Sequence, residues 1–264
     1  MPSSVDADPL TSPALTSAAY LSPEYVDLQV RFAERVAEAA ALPLDDALLR
    51  YTNFHRRLGL GVPDQAALPE QWRVLTDGIA SLSHDSRVER LFAALASAGD
   101  GSAVLLPGRI PFGCFACEPP NDEGMVRIHF GNRVQNTDVG PLHSSRVAER
   151  RAELRDMFGW LAGEYPAARR VDGGSWLYNL DAYRRLFPQE FAASREPRNG
   201  PPYLHGMSTW GQFIDFRGHI RPDVRDAFLA ALPGLDMTAP HRVFPYQVLF
   251  TSAPFDTFRR TYGV

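Results

Sequence analysis

Both cysteines of the chain, Cys114 and Cys117, fall three residues apart in PFGCFACEPPNDEGMVRIHF (111–130), and His129 follows twelve residues after the second. A C-x-x-C pair with a nearby histidine can bind zinc or cycle between thiol and disulfide. The flanking residues point elsewhere. Short apolar runs interrupted by EPPNDEG describe two strands joined by a hairpin loop, whereas a redox pair sits at the start of a helix. Residues an odd number apart on a strand face opposite ways, so Cys114 and Cys117 are expected on opposite faces and unable to share a metal. The expected hairpin sets Phe112, Cys114 and Ala116 with Val126, Ile128 and Phe130 on one face, leaving Phe115, Cys117, Arg127 and His129 on the other. Cys117 then lies across from Met125, roughly 13 Å along the strand from His129 and too far for proton transfer. One cysteine and one histidine also fall short of the ligands zinc takes, so no metal site is expected. His129 remains as the group with chemistry to offer, an imidazole that can take a proton from an amine or hydroxyl placed against it.

A second stretch, VDGGSWLYN (171–179), joins paired glycines to Ser175, Trp176 and Tyr178. The glycines allow close approach of the backbone, and Trp176 brings a large apolar surface with one N–H to satisfy; a core strand with a tight entry turn is the plainer reading. RRLGLG (56–61) has the form R-x-x-G-x-G of a pyrophosphate loop, but it follows a helix, where carbonyls and not free N–H groups are presented, and Gly59 suits a helix stop. The remaining histidines, His55, His84, His143, His205, His219 and His241, show no metal-ligand spacing. There is no H-E-x-x-H, no G-x-S-x-G elbow and no G-x-G-x-x-G after a strand.

The elements that must position these residues are legible from periodicity. In LSPEYVDLQVRFAERVAEAAAL, Ser22 is an N-cap and Pro23 a first helical residue, and Tyr25, Leu28, Phe32 and Val36 share one stripe. Further helices are expected over about 44–58, 68–81 and 86–98, the last stopped by GDG at 99–101. From SAVLLPG onward, short apolar runs and turns replace the 3.6 period. Then come a long helix through 145–163 capped by Ser144 or Ser145, a strand at RRVDGGSWLY, a short helix at LDAYRRLF and a loop across 195–206. A strand at TWGQFIDF, a helix in RPDVRDAFLAAL, a strand at VFPYQVLFTS and a helix opened by Pro254 complete the chain. The fold class is α+β: a flexible tail over 1–20, a helical N-terminal part over 21–100, and an α+β part over 101–264 in which helices pack on a mixed or antiparallel sheet.

Composition narrows the function. All 27 basic residues are arginine and none is lysine. That excludes pyridoxal phosphate and Schiff-base chemistry, P-loop phosphate sites and protein kinases, each of which needs an amine. A net charge of -4 without a basic block argues against nucleic acid as a partner. No apolar run approaches the length of a membrane span, and the N-terminus lacks a basic leader with an apolar core, so a cytoplasmic protein is expected. Two cysteines agree with a reducing compartment.

VRIHF (126–130), the long helix through 145–163, and GGSWLYN followed by LF at 186–187 together resemble a bacterial family, the C-terminal half of GNAT-like acyltransferase proteins. Its pattern is a strand ending in I-H-I-P, a long helix, then C-x-S-W-L-L and a short helix. Here Phe130 and Gly131 stand for Ile-Pro, Gly173 for the cysteine and Tyr178 for the second leucine. The resemblance covers about 125–190. It implies acyl transfer from an acyl thioester such as acyl-CoA, the co-substrate, to a small-molecule amine or hydroxyl, with no other cofactor required. His129 and Ser175 are the implied catalytic positions, and Arg127, Asn132, Trp176 and Tyr178 the surrounding substrate-binding ones. The alternative is a non-catalytic module that binds a ligand or a protein through the aromatic-rich C-terminal half.

Overall fold

The structure, a computed structural model, describes residues 21–60, 69–98, 108–133, 137–197 and 204–264. The expected tail over 1–20, the GDG stop and most of SAVLLPG lie outside the described residues. The fold is α+β, as the periodicity indicates.

Helix α1 (Pro23–Ala40) begins where Ser22 accepts a hydrogen bond from the Tyr25 N–H, 3.1 Å, and ends at Ala41 in the left-handed conformation. The expected second helix is two helices, α2 (Leu44–Tyr51) and α3 (Phe54–Arg57). The chain is extended at Thr52, and the Asn53 N–H is taken by the Gln29 side chain of α1, 2.9 Å away, instead of by the helix. A tertiary polar contact overrides the local period there. α4 (Glu70–Thr76) and α5 (His84–Ser97) follow, the latter capped by Ser83.

A six-stranded sheet draws on residues 110 to 254: β1 (Ile110–Phe112), β2 (Phe115–Cys117), β3 (Met125–Phe130), β4 (Arg170–Ser175), β5 (Glu196–Pro197) and β6 (Leu249–Pro254), in the order β1-β2-β3-β4-β6-β5. Only β3 and β4 pair in parallel, with Ile128 opposite Gly173, and helix α6 (Val147–Glu164) supplies the crossover such a pair requires. The 3-10 turn before α6 is capped by His143, not by Ser144 or Ser145: its Nδ1 accepts from the Ser145 N–H at 3.3 Å. After β4 come a 3-10 turn over Trp176–Asn179, α7 (Asp181–Arg184) and α8 (Gln189–Ala193). α9 (Met207–Gly211), α10 (Pro222–Ala231) and α11 (Phe255–Tyr262) complete the helices.

Two expected strands take other forms. TWGQFIDF is helix α9 and a turn closed by a bridge between Ile214 and Ile220; Trp210 and Phe213, three apart, both enter the core, which a strand could not arrange. In VFPYQVLFTS only the end is strand, because Pro240 and Pro245 hold the preceding segment in turns.

The buried apolar residues form two clusters. Phe32 of α1 is the hub of the first, with ring centroids of Phe244, Trp210 and Phe228 at 5.1, 5.7 and 6.0 Å. The second lies between one sheet face (Phe115, Cys117, Val126, Ile128, Val171, Ala253) and helices α6 and α11, where the Phe158 ring meets Phe258 at 4.5 Å and stacks on Tyr262 at 5.4 Å. Each such ring stabilises the fold by about 1.5–3 kcal/mol. Every strand of the sheet follows residue 100, but packing crosses that point: residues 204–246 return to the first cluster and residues 249–264 to the second. Among the described residues no helix is long and apolar enough to cross a membrane.

Candidate functional site

The hairpin carrying the cysteines is tighter than the spacing suggests. β1 turns into β2 at Gly113 and Cys114, with Phe112 paired to Phe115 and Gly113 at φ +59°. Cys114 is therefore a turn residue and not a strand residue. β2 pairs with β3 so that Cys117 lies opposite Ile128, not Met125, and Ala116 opposite His129. The expected faces are thereby exchanged: Phe115 and Cys117 share the core face with Val126 and Ile128, and Ala116 shares the other with Arg127 and His129. Cys117 and His129 are on opposite faces, so the thiol and the imidazole cannot act together.

Both thiols are buried. Burial pushes Cys117 up to about 12 and raises Cys114 as well, although the Arg150 guanidinium donates to the Cys114 sulfur. Arg150 sits on the buried stripe of α6 and is paired with Glu149 and Glu153. Neither cysteine is poised as a nucleophile, and among the described residues no three His, Cys, Asp or Glu side chains could hold a metal ion together.

On the opposite sheet face His129 meets Glu118, which follows β2 two residues after Ala116 and so shares its side. The Glu118 N–H donates to the Arg127 carbonyl at 2.9 Å, extending the ladder by one rung. His129 Nε2 lies 2.7 Å from Glu118 Oε1. Since an ionised carboxylate only accepts, Nε2 carries the proton and Nδ1 presents its lone pair; among the described residues no hydrogen bond reaches Nδ1. Arg109 Nε is 3.6 Å from Glu118 Oε1 and Arg127 Nη1 is 3.8 Å from Oε2. Burial, and then the Arg109 charge, hold His129 down at about 4 against the pull of Glu118, so the ring is neutral near pH 7. Burial likewise lowers Arg109.

No family model, curated protein or solved structure matches this chain.

Ser175 does not join His129. Gly173 shares a face with Ile128, and Ser175, two residues on, shares that face with Gly173, so the serine and the imidazole project to opposite sides of the sheet. Ser175 Oγ instead accepts from the Leu177 N–H at 3.1 Å and caps the 3-10 turn, while Ser208 of α9 accepts from the Trp176 N–H at 3.0 Å. Tyr178, expected to bind substrate, is 1% exposed in the second core and out of reach of any ligand. Trp176 is half-buried at the end of β4, its ring 5.5 Å from Tyr246, with the Arg221 guanidinium 5.6 Å from both centroids. Asn132 ties its loop to the Phe216 carbonyl at 2.6 Å. Of the residues singled out from sequence, Arg127 and His129 come together and Ser175, Trp176, Tyr178 and Asn132 serve the framework. Spacing alone does not single out Glu118 or Arg109. The parity of Ala116 and Glu118 was the available signal, but using it requires the register.

Proposed function

We propose that this chain is an acyltransferase-like enzyme that moves an acyl group from an acyl thioester such as acyl-CoA to a small-molecule amine or hydroxyl, with His129 as the base. The observation that carries the proposal is the 2.7 Å contact by which Glu118 orients the neutral imidazole, leaving Nδ1 to accept a proton. The acceptor N–H or O–H gives its proton to Nδ1 as its nitrogen or oxygen bonds the acyl carbon. The C–S bond breaks, and the thiolate leaves with the proton returned from the imidazolium, which Glu118 stabilises meanwhile. Arg109 and Arg127 flank the carboxylate and favour a co-substrate bearing phosphates. The element order β3, long α6, β4, short α7 also follows the family pattern described above. Ser175 takes no part in this scheme.

A second reading, a ligand-binding module without catalysis, is favoured by one observation: an imidazole held at about 4 is a weak base. Acetyl-CoA binding and turnover separate the two. We expect acetyl-CoA to raise the melting temperature of the wild type, and the His129→Gln protein to keep that shift while losing thiol release in the presence of an amine acceptor pool. Binding without thiol release from the wild type supports the module. No shift with acetyl-CoA in a folded protein removes the acyl-CoA reading.

A further inference from the structure

Where α2 breaks into α3, a polar group is enclosed by the first apolar core. Tyr25, Gln29 and Asn53 are fully buried and Arg57 is 8% exposed. They form one network: Asn53 Nδ2 is 2.9 Å and Arg57 Nη2 3.4 Å from the Tyr25 hydroxyl, Gln29 Oε1 accepts from the Asn53 N–H at 2.9 Å, and the Arg57 guanidinium lies 5.0 Å from the centre of the Tyr25 ring. The network is incomplete. Among the described residues, Gln29 Nε2, Asn53 Oδ1 and Arg57 Nε are buried without a hydrogen-bond partner, and no carboxylate pairs with Arg57.

A guanidinium enclosed in an apolar core without a counter-charge is strongly disfavoured, and so is each buried amide donor left unmade. A partner that completed the network would be negative, because the charge to be balanced is positive. It would also accept at least two hydrogen bonds, from Arg57 Nε and Gln29 Nε2. Turning the Asn53 amide about its last torsion lets its oxygen accept from the Tyr25 O–H and offers its NH₂ as a third donor. One guanidinium calls for one negative charge, which suits a carboxylate, planar and matched to the arginine fork, better than a phosphate dianion.

We propose that Arg57, Gln29 and Asn53 form a buried binding site for a small monocarboxylate, separate from the Glu118–His129 pair and independent of the acyl-transfer reading. The carboxylate bonds Arg57 Nε and Gln29 Nε2, and Tyr25 backs the guanidinium with its ring. Bound carboxylate would lock α3 to α1 at the point where the α2 helix is interrupted.

The test uses the full chain purified without carboxylate buffers, melted at fixed ionic strength with sodium acetate replacing sodium chloride. Acetate is expected to raise the melting temperature by about 2–5 °C at saturation. Arg57→Met, which removes the charge but keeps an apolar stem over Tyr25, is expected to lose that response and to melt no lower than the wild type in chloride alone. Gln29→Met, which leaves the charge in place, should weaken apparent acetate affinity severalfold. An equal effect of chloride and acetate on the wild type overturns the proposal. So does an undiminished acetate response in both variants. If Arg57→Met fails to fold, the Gln29→Met titration decides alone.

Discussion

The hydroxyl of Tyr178 stands where a Cβ on Gly173 would have to be. The glycine opens the space that the tyrosine fills, so the two residues are one packing unit. Tyr178 is fully buried there, and Thr251 lies against the same point. A side chain there, as in Gly173→Cys, should therefore destabilise the protein by about 1–3 kcal/mol through overpacking. Adding Tyr178→Leu should return at least half of that loss. A urea-unfolding double-mutant cycle measures it, and strictly additive effects would show that the two positions are not coupled.

Glu118 is the only carboxylate among the described residues paired with His129, Arg109 or Arg127. Glu118→Gln keeps an acceptor for His129 but leaves two guanidinium groups facing each other without an anion. We expect a loss of about 1–2 kcal/mol, reduced by partial exposure of the site and partly recovered in high salt. Chemical denaturation at low and high sodium chloride reads both quantities. An unchanged midpoint would mean that the cluster does not depend on its central charge.

Acid should weaken the fold through two histidines. His129 is held at about 4, by burial first and Arg109 second, and His55 at about 3, by burial first and then His205 and Arg56. An unfolded histidine titrates near 6.5. Above that value both states are neutral and neither residue contributes. As the pH falls below it, the unfolded chain binds protons that the folded chain refuses, so stability declines until the folded values are passed. The decline should be on the order of 2 kcal/mol for each histidine by pH 4. Unfolding free energies from pH 7 to 4 should fall less steeply in His55→Leu, and equal slopes in variant and wild type would refute the assignment.

The thiols should be silent in the folded protein. Cys114 and Cys117 are buried with raised pKa values, Cys117 reaching about 12. A thiol-reactive chromophore at pH 8 is expected to label fewer than about one in ten of either cysteine within minutes, and both promptly in denaturant. Fast labelling of native Cys114 would show that the Arg150 contact draws out the thiolate.

Helical periodicity was legible at α1, α5, α6 and α10, which fall close to the helices expected after Ser22, over 86–98, through 145–163 and in RPDVRDAFLAAL. The α+β class followed from the change of period near residue 100. What local pattern could not supply was register. Phe112-Gly113-Cys114-Phe115 reads as a continuous strand until Gly113 takes a left-handed turn, and that turn decides which side His129 faces relative to Cys117. The break at Thr52 was hidden for a related reason. It depends on Gln29, 24 residues earlier, capturing the Asn53 N–H. The candidate site was half legible, since His129 and Arg127 lie on one strand but Glu118 and Arg109 reach them only across the hairpin.

The path of the chain through its two cores sets the order in which they can close during synthesis. Phe32, Leu48 and Leu91 are made early, yet their partners Trp210, Phe228 and Phe244 lie more than a hundred residues downstream. At ribosomal speed the N-terminal helices wait roughly ten seconds for the aromatic residues that cover them. The sheet and α6 emerge in that interval and can begin to assemble first, lacking only β6 and α11. Residues 204–264 therefore complete first one core and then the other, and a ribosome stalled before residue 204 carries neither core finished.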